Sequence, residues 1–222
     1  MSLPRVLEPE VMDTFEEARD YDAMDHREVN RRFVDDFLAW GPIEGEVLDL
    51  GTGTALIPIE LCQRIESCRI SAVDLSVQML DLARYNIEVA GLTARIGLAH
   101  CDCKRMPFPT SHFPNVMSNS IIHHIPDPLL VLREAVRVTA AGGLLFFRDL
   151  VRPADKTTLD YLVGQYAAGA DTHQQQMFAD SLHAALTLDE ARAAVNSLGF
   201  DPASVQLTSD RHWTWSARKA GS

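Results

Sequence analysis

The sequence predicts an α/β fold: a doubly wound sheet of seven strands, mostly parallel, with helices on both faces and an antiparallel strand at the C-terminal end. Three observations lead there. Short apolar runs alternate with amphipathic helical segments, the pattern of parallel βαβ units. The first apolar run carries an aspartate and passes into a Gly-x-Gly turn that opens a helix. The last two runs are separated by only a few polar residues, as in a hairpin. A chain of 222 residues suits one domain, 1–222, carrying an insertion.

Each element has its own signal. Residues 25–40 place Val29, Phe33, Phe37 and Leu38 at helical spacing, with charged residues between them. They predict a helix that Gly41-Pro42 ends, so that residues 1–42 form an N-terminal helical cap. Residues 46–50 predict the first buried strand. A helix follows Thr54 to about residue 65, with Pro58 near the first turn, where a missing N–H costs least. Residues 69–73 predict strand two, closing on Asp74, and Ser76 caps a helix that ends at Gly91. Residues 94–99 predict strand three and residues 116–119 strand four. Asp127-Pro128 is a helix start, with a capping acid followed by proline. Gly142-Gly143 predicts a turn into strand five at 144–148. Residues 150–186 break the rhythm and predict a helical insertion. Residues 188–198 predict a last helix, and 205–208 with 213–217 the hairpin, with Trp213 and Trp215 in the sheet core.

Composition narrows the function classes. The net charge of -11 argues against nucleic-acid binding, which needs clustered Lys and Arg, and against an anionic membrane surface. No apolar run reaches the roughly 18 residues of a membrane span. The first ten residues hold Pro4, Glu8, Pro9 and Glu10 where a signal peptide would be apolar. Cys62, Cys68, Cys101 and Cys103 have neither disulfide-scaffold nor zinc-ligand spacing, so they read as reduced thiols of a cytoplasmic protein, with no metal.

The chemistry concentrates at Val47-Leu48-Asp49-Leu50-Gly51-Thr52-Gly53-Thr54. Gly51 and Gly53 allow positive φ and let a ligand lie against the backbone. They stand at the carboxyl end of the first strand, where open α/β sheets bind ligands. Asp74, at the end of the second strand, has the position and chemistry to accept from a ribose diol. The third glycine of G-x-G-x-x-G is absent, which points away from dinucleotides toward a nucleoside without a diphosphate.

Five segments in order carry a resemblance. They are Val47 to Thr54, Val73-Asp74-Leu75-Ser76 with Met79-Leu80, Cys101-Asp102-Cys103 with Met106-Pro107-Phe108, Asn119 to Asp127, and Gly142-Gly143-Leu144-Leu145. Together the chain resembles the class I S-adenosylmethionine-dependent methyltransferases, in particular their small-molecule, type 11 or UbiE-like branch, with a Rossmann-like sheet. The resemblance implies S-adenosylmethionine as cofactor. It implies that Asp49, Gly51, Thr52 and Gly53 hold the methionine part, that Asp74 takes the ribose hydroxyls, and that Leu75 packs on the adenine. Asp102 would accept from the adenine amine, with Cys103 beside the ring, and Asn119 would face the amino-acid tail or the sulfonium. It implies Tyr21 near the sulfonium, and the 150–186 insertion, with Tyr166, as a lid for a small-molecule acceptor. The one departure from the fullest motif is Ala55, where a third glycine is common.

His123 and His124 follow strand four on the ligand edge and are candidates to take a proton from the acceptor. Arg148 and Asp149, at the end of strand five, are candidates to line the acceptor pocket. Two other readings stand beside methyl transfer to a small molecule: a methyltransferase acting on protein or RNA, and a cofactor-binding protein of this fold without methyl transfer.

Overall fold

The five residues Glu46–Leu50 form β1 because Val47, Leu48 and Leu50 bury completely, on both faces of a central strand. A computed structural model describes residues 3–8, 19, 22 and 27–221. Within it, β1 pairs in parallel with β2 (Arg69–Asp74) on one side and β4 (Phe113–Asn119) on the other, and β2 pairs in parallel with β3 (Ile96–His100). Registers run Glu46 to Arg69, Val47 to Asn115 and Ile70 to Ile96. With β5 (Thr139–Leu150), β6 (Val205–Leu207) and β7 (His212–Arg218), the seven-stranded sheet has the order β3-β2-β1-β4-β5-β7-β6. The order reverses between β1 and β4. In an open sheet that reversal leaves a crevice beyond the carboxyl ends of the two strands.

The chain divides into two compact units. One comprises residues 11–119, 130–147 and 217–222. Its helices are α1 (Arg27–Leu38), α2 (Leu56–Arg64), α3 (Val77–Val89) and most of α4 (Pro128–Val138). Phe33 and Phe37 of α1 bury completely and meet Phe146 of β5 edge to face, with centroids 5.1 and 5.6 Å apart. Ser76 Oγ caps α3 by accepting from the Met79 N–H at 3.2 Å. Asp127 Oδ1 accepts from the Leu129 N–H at 3.2 Å, where α4 begins.

The other unit comprises residues 1–10, 120–129 and 148–216. The predicted helical insertion is α5 (Lys156–Tyr166) and α6 (Thr172–Ala184), and α7 (Leu188–Ser197) follows. Asp155 caps α5, while Asp171 with Gln174 and Thr187 with Glu190 form capping boxes on the next two helices. Leu150, Leu159, Leu162, Leu182 and Ala185 make this unit's core. Trp213 and Trp215 are buried in β7, which pairs antiparallel with β6.

Three boundaries differ from the sequence reading. Gly142-Gly143 is not a turn before strand five. The strand runs continuously from Thr139 to Leu150 through Gly142 at φ 74°. A Cβ on Gly143 would come within 2.9 Å of the Ala140 and Pro114 carbonyls and of Thr139, so the glycine answers close backbone approach. Strand four starts at Phe113 rather than 116. Pro114 is tolerated because the β1 pairing begins only at Asn115. Strand three starts at Ile96, because the Arg95 and Ile96 N–H groups still bond the Leu92 carbonyl. Of the predicted N-terminal cap, the described helix is α1, and Asp25 lies outside the described residues.

Candidate functional site

Asp49 is the penultimate residue of β1, and the chain then turns through Gly51 and Gly53, at φ 68° and 54°, into α2. Gly51 and Thr52 both donate backbone N–H bonds to the Val73 carbonyl at 2.9 Å, which ties the turn to β2. Ala55 closes the turn at φ 63°, a left-handed conformation that costs a residue with a Cβ about 1–2 kcal/mol. That conformation is the physical reason a glycine suits this position. Asp74 Oδ2 accepts from the Gly53 N–H at 2.8 Å and Oδ1 from the Ser76 N–H at 2.9 Å. One carboxylate thus braces both the glycine turn and the start of α3.

A cleft of about 390 Å3, part of it open to solvent, lies at the ends of β1 and β4. It is lined by Asn30, Asp49, Gly51, Thr52, Gly53, Thr54, Leu56, Ile57 and Asn119. Five of these are residues the sequence singles out: Asp49, Gly51, Thr52, Gly53 and Asn119. Asn30, Leu56 and Ile57 were not, and Thr54 stands in the motif without a role of its own. Asn30 had a legible signal, since it lies three and four positions before the buried Phe33 and Val34 and so places an amide on the apolar stripe of α1.

The cleft's polarity is unusual. Asn119 Oδ1 and Thr54 Oγ1 are buried without a hydrogen-bond partner among the described residues. Buried polar atoms of this kind normally find a partner, so their presence in a cleft marks a place for a polar ligand. Burial pushes the Asp49 carboxyl up to about 7, and the charge of Asp74 adds to the rise. A cationic group bound there would favour the ionised carboxylate and bring its pKa back down. Ser120, directly after Asn119, sits at φ 60°. Such strained non-glycine residues gather at functional sites.

Asp102 and Cys103 follow β3 in the same unit. Asp102 Oδ1 accepts from the Lys104 N–H at 2.9 Å and pairs with Lys104 Nζ at 3.2 Å. Cys103 is buried, with Asp74 and Gly51 near its thiol, and burial raises its pKa. Leu75 is fixed through its carbonyl, 2.9 Å from His100 Nε2. All four cysteines are free and buried.

His123, His124, Arg148, Asp149 and Tyr166 lie in the other unit. His123 and His124 stand in a 3-10 turn after β4 with ring centroids 4.2 Å apart. His123 Nδ1 is 2.6 Å from Asp149 Oδ1, and Asp149 Oδ2 accepts from the Ile122 N–H at 2.6 Å. Burial alone would push His123 down, but Asp149 and Glu8 outweigh it and hold its pKa above the ordinary value. His124 Nδ1 is 3.0 Å from Glu8 Oε1. Arg148 is buried, its Nε donating to Thr214 Oγ1 at 3.0 Å. Tyr166 is partly exposed. Its hydroxyl donates to Asp210 at 2.6 Å, and the Arg211 guanidinium lies 3.4 Å over its ring. Tyr21 lies outside the described residues. Glu8 and Arg5 carry no site signal in the sequence, because their partners are remote in the chain.

A pH dependence follows from Asp49. The carboxyl keeps its proton in the folded state between its ordinary value of 3.8 and about 7, while the unfolded chain releases it. Stability is therefore lost as pH rises through that window and does not return above it. His212, pushed down to about 4 mainly by burial, contributes the opposite slope, because stability is lost on acidification below about 6.5. The difference between wild type and Asp49→Asn isolates the first effect. The variant is expected to gain about 2–4 kcal/mol relative to wild type between pH 4 and pH 7.5, or roughly 5–10 °C of Tm. Thermal unfolding by circular dichroism across that range checks it, and a constant difference would refute the burial argument.

A family model described as a methyltransferase domain matches residues 47–143. That span begins in β1 and ends in β5, and it takes in the whole cleft except Asn30. The chain belongs to the class I S-adenosylmethionine-dependent methyltransferases, in their UbiE-like branch. It is 23% identical over 197 residues to 27-O-demethylrifamycin SV methyltransferase of Amycolatopsis mediterranei, covering 86% of this chain and 69% of that one. It is 30% identical over 185 residues to the malonyl-[acyl-carrier protein] O-methyltransferase of Geobacter sulfurreducens, covering 82% and 66%. It spans about half the length of some other curated relatives. Its fold matches that of the plantazolicin methyltransferase BpumL in complex with SAH, at a TM-score of 0.70, 13% identity, and coverage of 91% and 88%. This methyltransferase has S-adenosylmethionine as its cofactor, and the cleft suits it. The cleft offers a buried carboxyl at Asp49, unpartnered amide and hydroxyl oxygens, and two glycines whose backbone a ligand can approach. No helix among the described residues is long and apolar enough to cross a membrane.

Proposed function

We propose that the chain transfers a methyl group from S-adenosylmethionine to a small-molecule acceptor by in-line displacement. The observation that carries this reading is the cleft at the ends of β1 and β4, with the buried Asp49 carboxyl and the orphaned Asn119 Oδ1 on its wall. The relatives support the acceptor class, since that of Amycolatopsis mediterranei is a 27-O-demethylrifamycin SV methyltransferase. The acidic balance of the chain supports it too, by disfavouring RNA.

When bound, S-adenosylmethionine supplies a sulfonium methyl, which an acceptor lone pair can take while the sulfur leaves as a neutral thioether. The chain's own part is alignment. Asp49 and Asn119 would hold the amino-acid end, and the backbone of Gly51 and Gly53 would close on it. Asp74 would accept from the ribose, Leu75 would pack on the adenine, and Asp102 would accept from its amine, with Cys103 beside the ring. Holding donor and acceptor in line can supply most of the rate of such a displacement. The insertion of α5 and α6, with Tyr166, would choose the acceptor, as loops and insertions on a rigid scaffold commonly do.

The test is a panel of hydroxyl, amine, thiol, carboxyl and carbon acceptors, read as S-adenosylhomocysteine released per enzyme. Repeated turnover with at least one small molecule is expected. Turnover confined to protein or RNA acceptors would overturn the acceptor class. Tight S-adenosylhomocysteine binding with no turnover on any acceptor would overturn methyl transfer itself.

A further inference from the structure

We propose that Glu8, His123 and His124 form a binding site for one divalent first-row transition-metal ion, with Asp149 orienting the His123 ring. The inference stands apart from the methyl-transfer reading, because none of these four residues lines the nucleoside cleft.

The donor atoms already converge. Glu8 Oε1 is 3.0 Å from His124 Nδ1 and 3.6 Å from His123 Nε2, and the three ligand atoms lie within 4.8 Å of one another. Two donors bonded to one ion at about 2.0–2.1 Å stand roughly 2.9–3.4 Å apart, over the angles between octahedral and tetrahedral. The Glu8–His124 spacing falls inside that span and the Glu8–His123 spacing lies just beyond it, so the ligand atoms must draw together to close on an ion. Two imidazoles and one carboxylate are the donor set of open Zn2+ and non-haem Fe2+ sites, and they disfavour Ca2+ and Mg2+, which take oxygen ligands.

The second observation is the support behind the first ring. His123 Nδ1 is 2.6 Å from Asp149 Oδ1, in a carboxylate that is only 1% exposed. Asp149 also accepts from the Ile122 N–H at 2.6 Å, so its position is set by the backbone. The Nδ1 proton is thereby committed to Asp149, and Nε2 is left directed at the Glu8 carboxylate. A neutral ring would turn a lone pair toward an anion there. A proton on Nε2, or a metal ion in its place, resolves the conflict, and a carboxylate–histidine pair behind the donor is the usual arrangement for a metal-bound imidazole.

The third ligand is anchored independently. The Val6 N–H donates to the His183 carbonyl at 3.2 Å, and Ser181 Oγ donates to the Glu8 carboxylate at 3.2 and 3.3 Å. Arg5 is the nearby competing charge. Its guanidinium is directed at carbonyls, bonding those of Ala184 at 2.6 Å, Ile125 at 2.9 Å, and His123 and Pro126 at 3.3 Å. It fixes the 3-10 turn to the N-terminal segment while leaving the two imidazole nitrogens facing Glu8.

The full chain, stripped with a chelator and dialysed, is titrated with Zn2+ by calorimetry and with Co2+ by visible absorption. About one equivalent of each is expected to bind, with Co2+ ligand-field bands that Zn2+ abolishes. Glu8→Gln and His124→Ala leave the buried His123–Asp149 pair intact, and each is expected to weaken binding at least 100-fold. Asp149→Asn is expected to weaken it about 10- to 100-fold, as loss of a ring-orienting carboxylate does. Circular dichroism and S-adenosylhomocysteine affinity of each variant report folding and the nucleoside site separately. Failure of the wild-type protein to bind either ion, or unchanged binding in Glu8→Gln and His124→Ala, overturns the proposal.

Discussion

Asp74→Ala is expected to lower the affinity for S-adenosylhomocysteine by roughly 100-fold or more. On the proposed binding mode the carboxylate accepts from both ribose hydroxyls. A hydrogen bond to a charged group contributes about 1.5–3 kcal/mol, so losing two removes at least 3 kcal/mol, or about two decades in Kd. The substitution also frees the Gly53 and Ser76 N–H groups that Asp74 now holds at 2.8 and 2.9 Å. The glycine turn and the first turn of α3 therefore loosen together, and a negative charge favourable to the helix N-terminus is lost. Asp74→Asn retains one acceptor oxygen and should fall between the two. Calorimetry measures all three affinities, with thermal unfolding as the control for folding. An unchanged Kd in Asp74→Ala would falsify the ribose assignment.

Phe146→Ala is expected to remove about 3–5 kcal/mol of stability, the largest loss of any single truncation argued for this unit. Phe146 is 1% exposed and meets the rings of Phe33 and Phe37, both fully buried, edge to face. Removing it empties the space between α1 and β5 and leaves two aromatic edges without their partner face. Because α1 and β5 are remote in the chain and fixed by their other contacts, backbone relaxation can refill little of that volume. A protein of this size has a total stability of about 5–15 kcal/mol, so the variant approaches the unfolding threshold at growth temperature. Urea unfolding gives the value directly. Truncating the exposed Tyr85 on α3 should change stability by less than about 0.5 kcal/mol. Equal effects at the two positions would show that the Phe33, Phe37 and Phe146 cluster is not the core it is taken to be.

Much of the cofactor side was legible because its signals are local. Val47 to Thr54 is a strand, a turn and a helix start in one stretch, and each step follows from neighbouring residues: apolar burial, glycine at positive φ, and proline in the first helical turn. Asp74 and Ser76 are equally local, since an acid ending a strand and a capping serine act within two or three residues of themselves. The boundaries that differed all involved a non-local term. Gly143 reads as a turn from sequence but is required by the carbonyls of Pro114 and Ala140 closing on it. Pro114 reads as a strand breaker but falls just outside the β1 ladder. Asn30 was passed over because its amide matters only where α1 meets the end of β1.

The acceptor-side residues divide in the same way. His123 and His124 were noticeable as a pair after a strand, and Asp149 as the end of another. Nothing in the order of residues joins them to Glu8, which enters from the far N-terminus. The sequence by itself determined the α/β class and the glycine turn with Asp49 and Asp74, and its resemblance to a known family pointed to the cofactor. The class and the turn depend on periodicity and on short-range backbone chemistry. Only the tertiary structure decided which polar atoms are buried without partners, how far burial lifts Asp49, and that Glu8, His123, His124 and Asp149 share one cluster. Those properties depend on desolvation and on distances between groups remote in the chain, which packing alone sets.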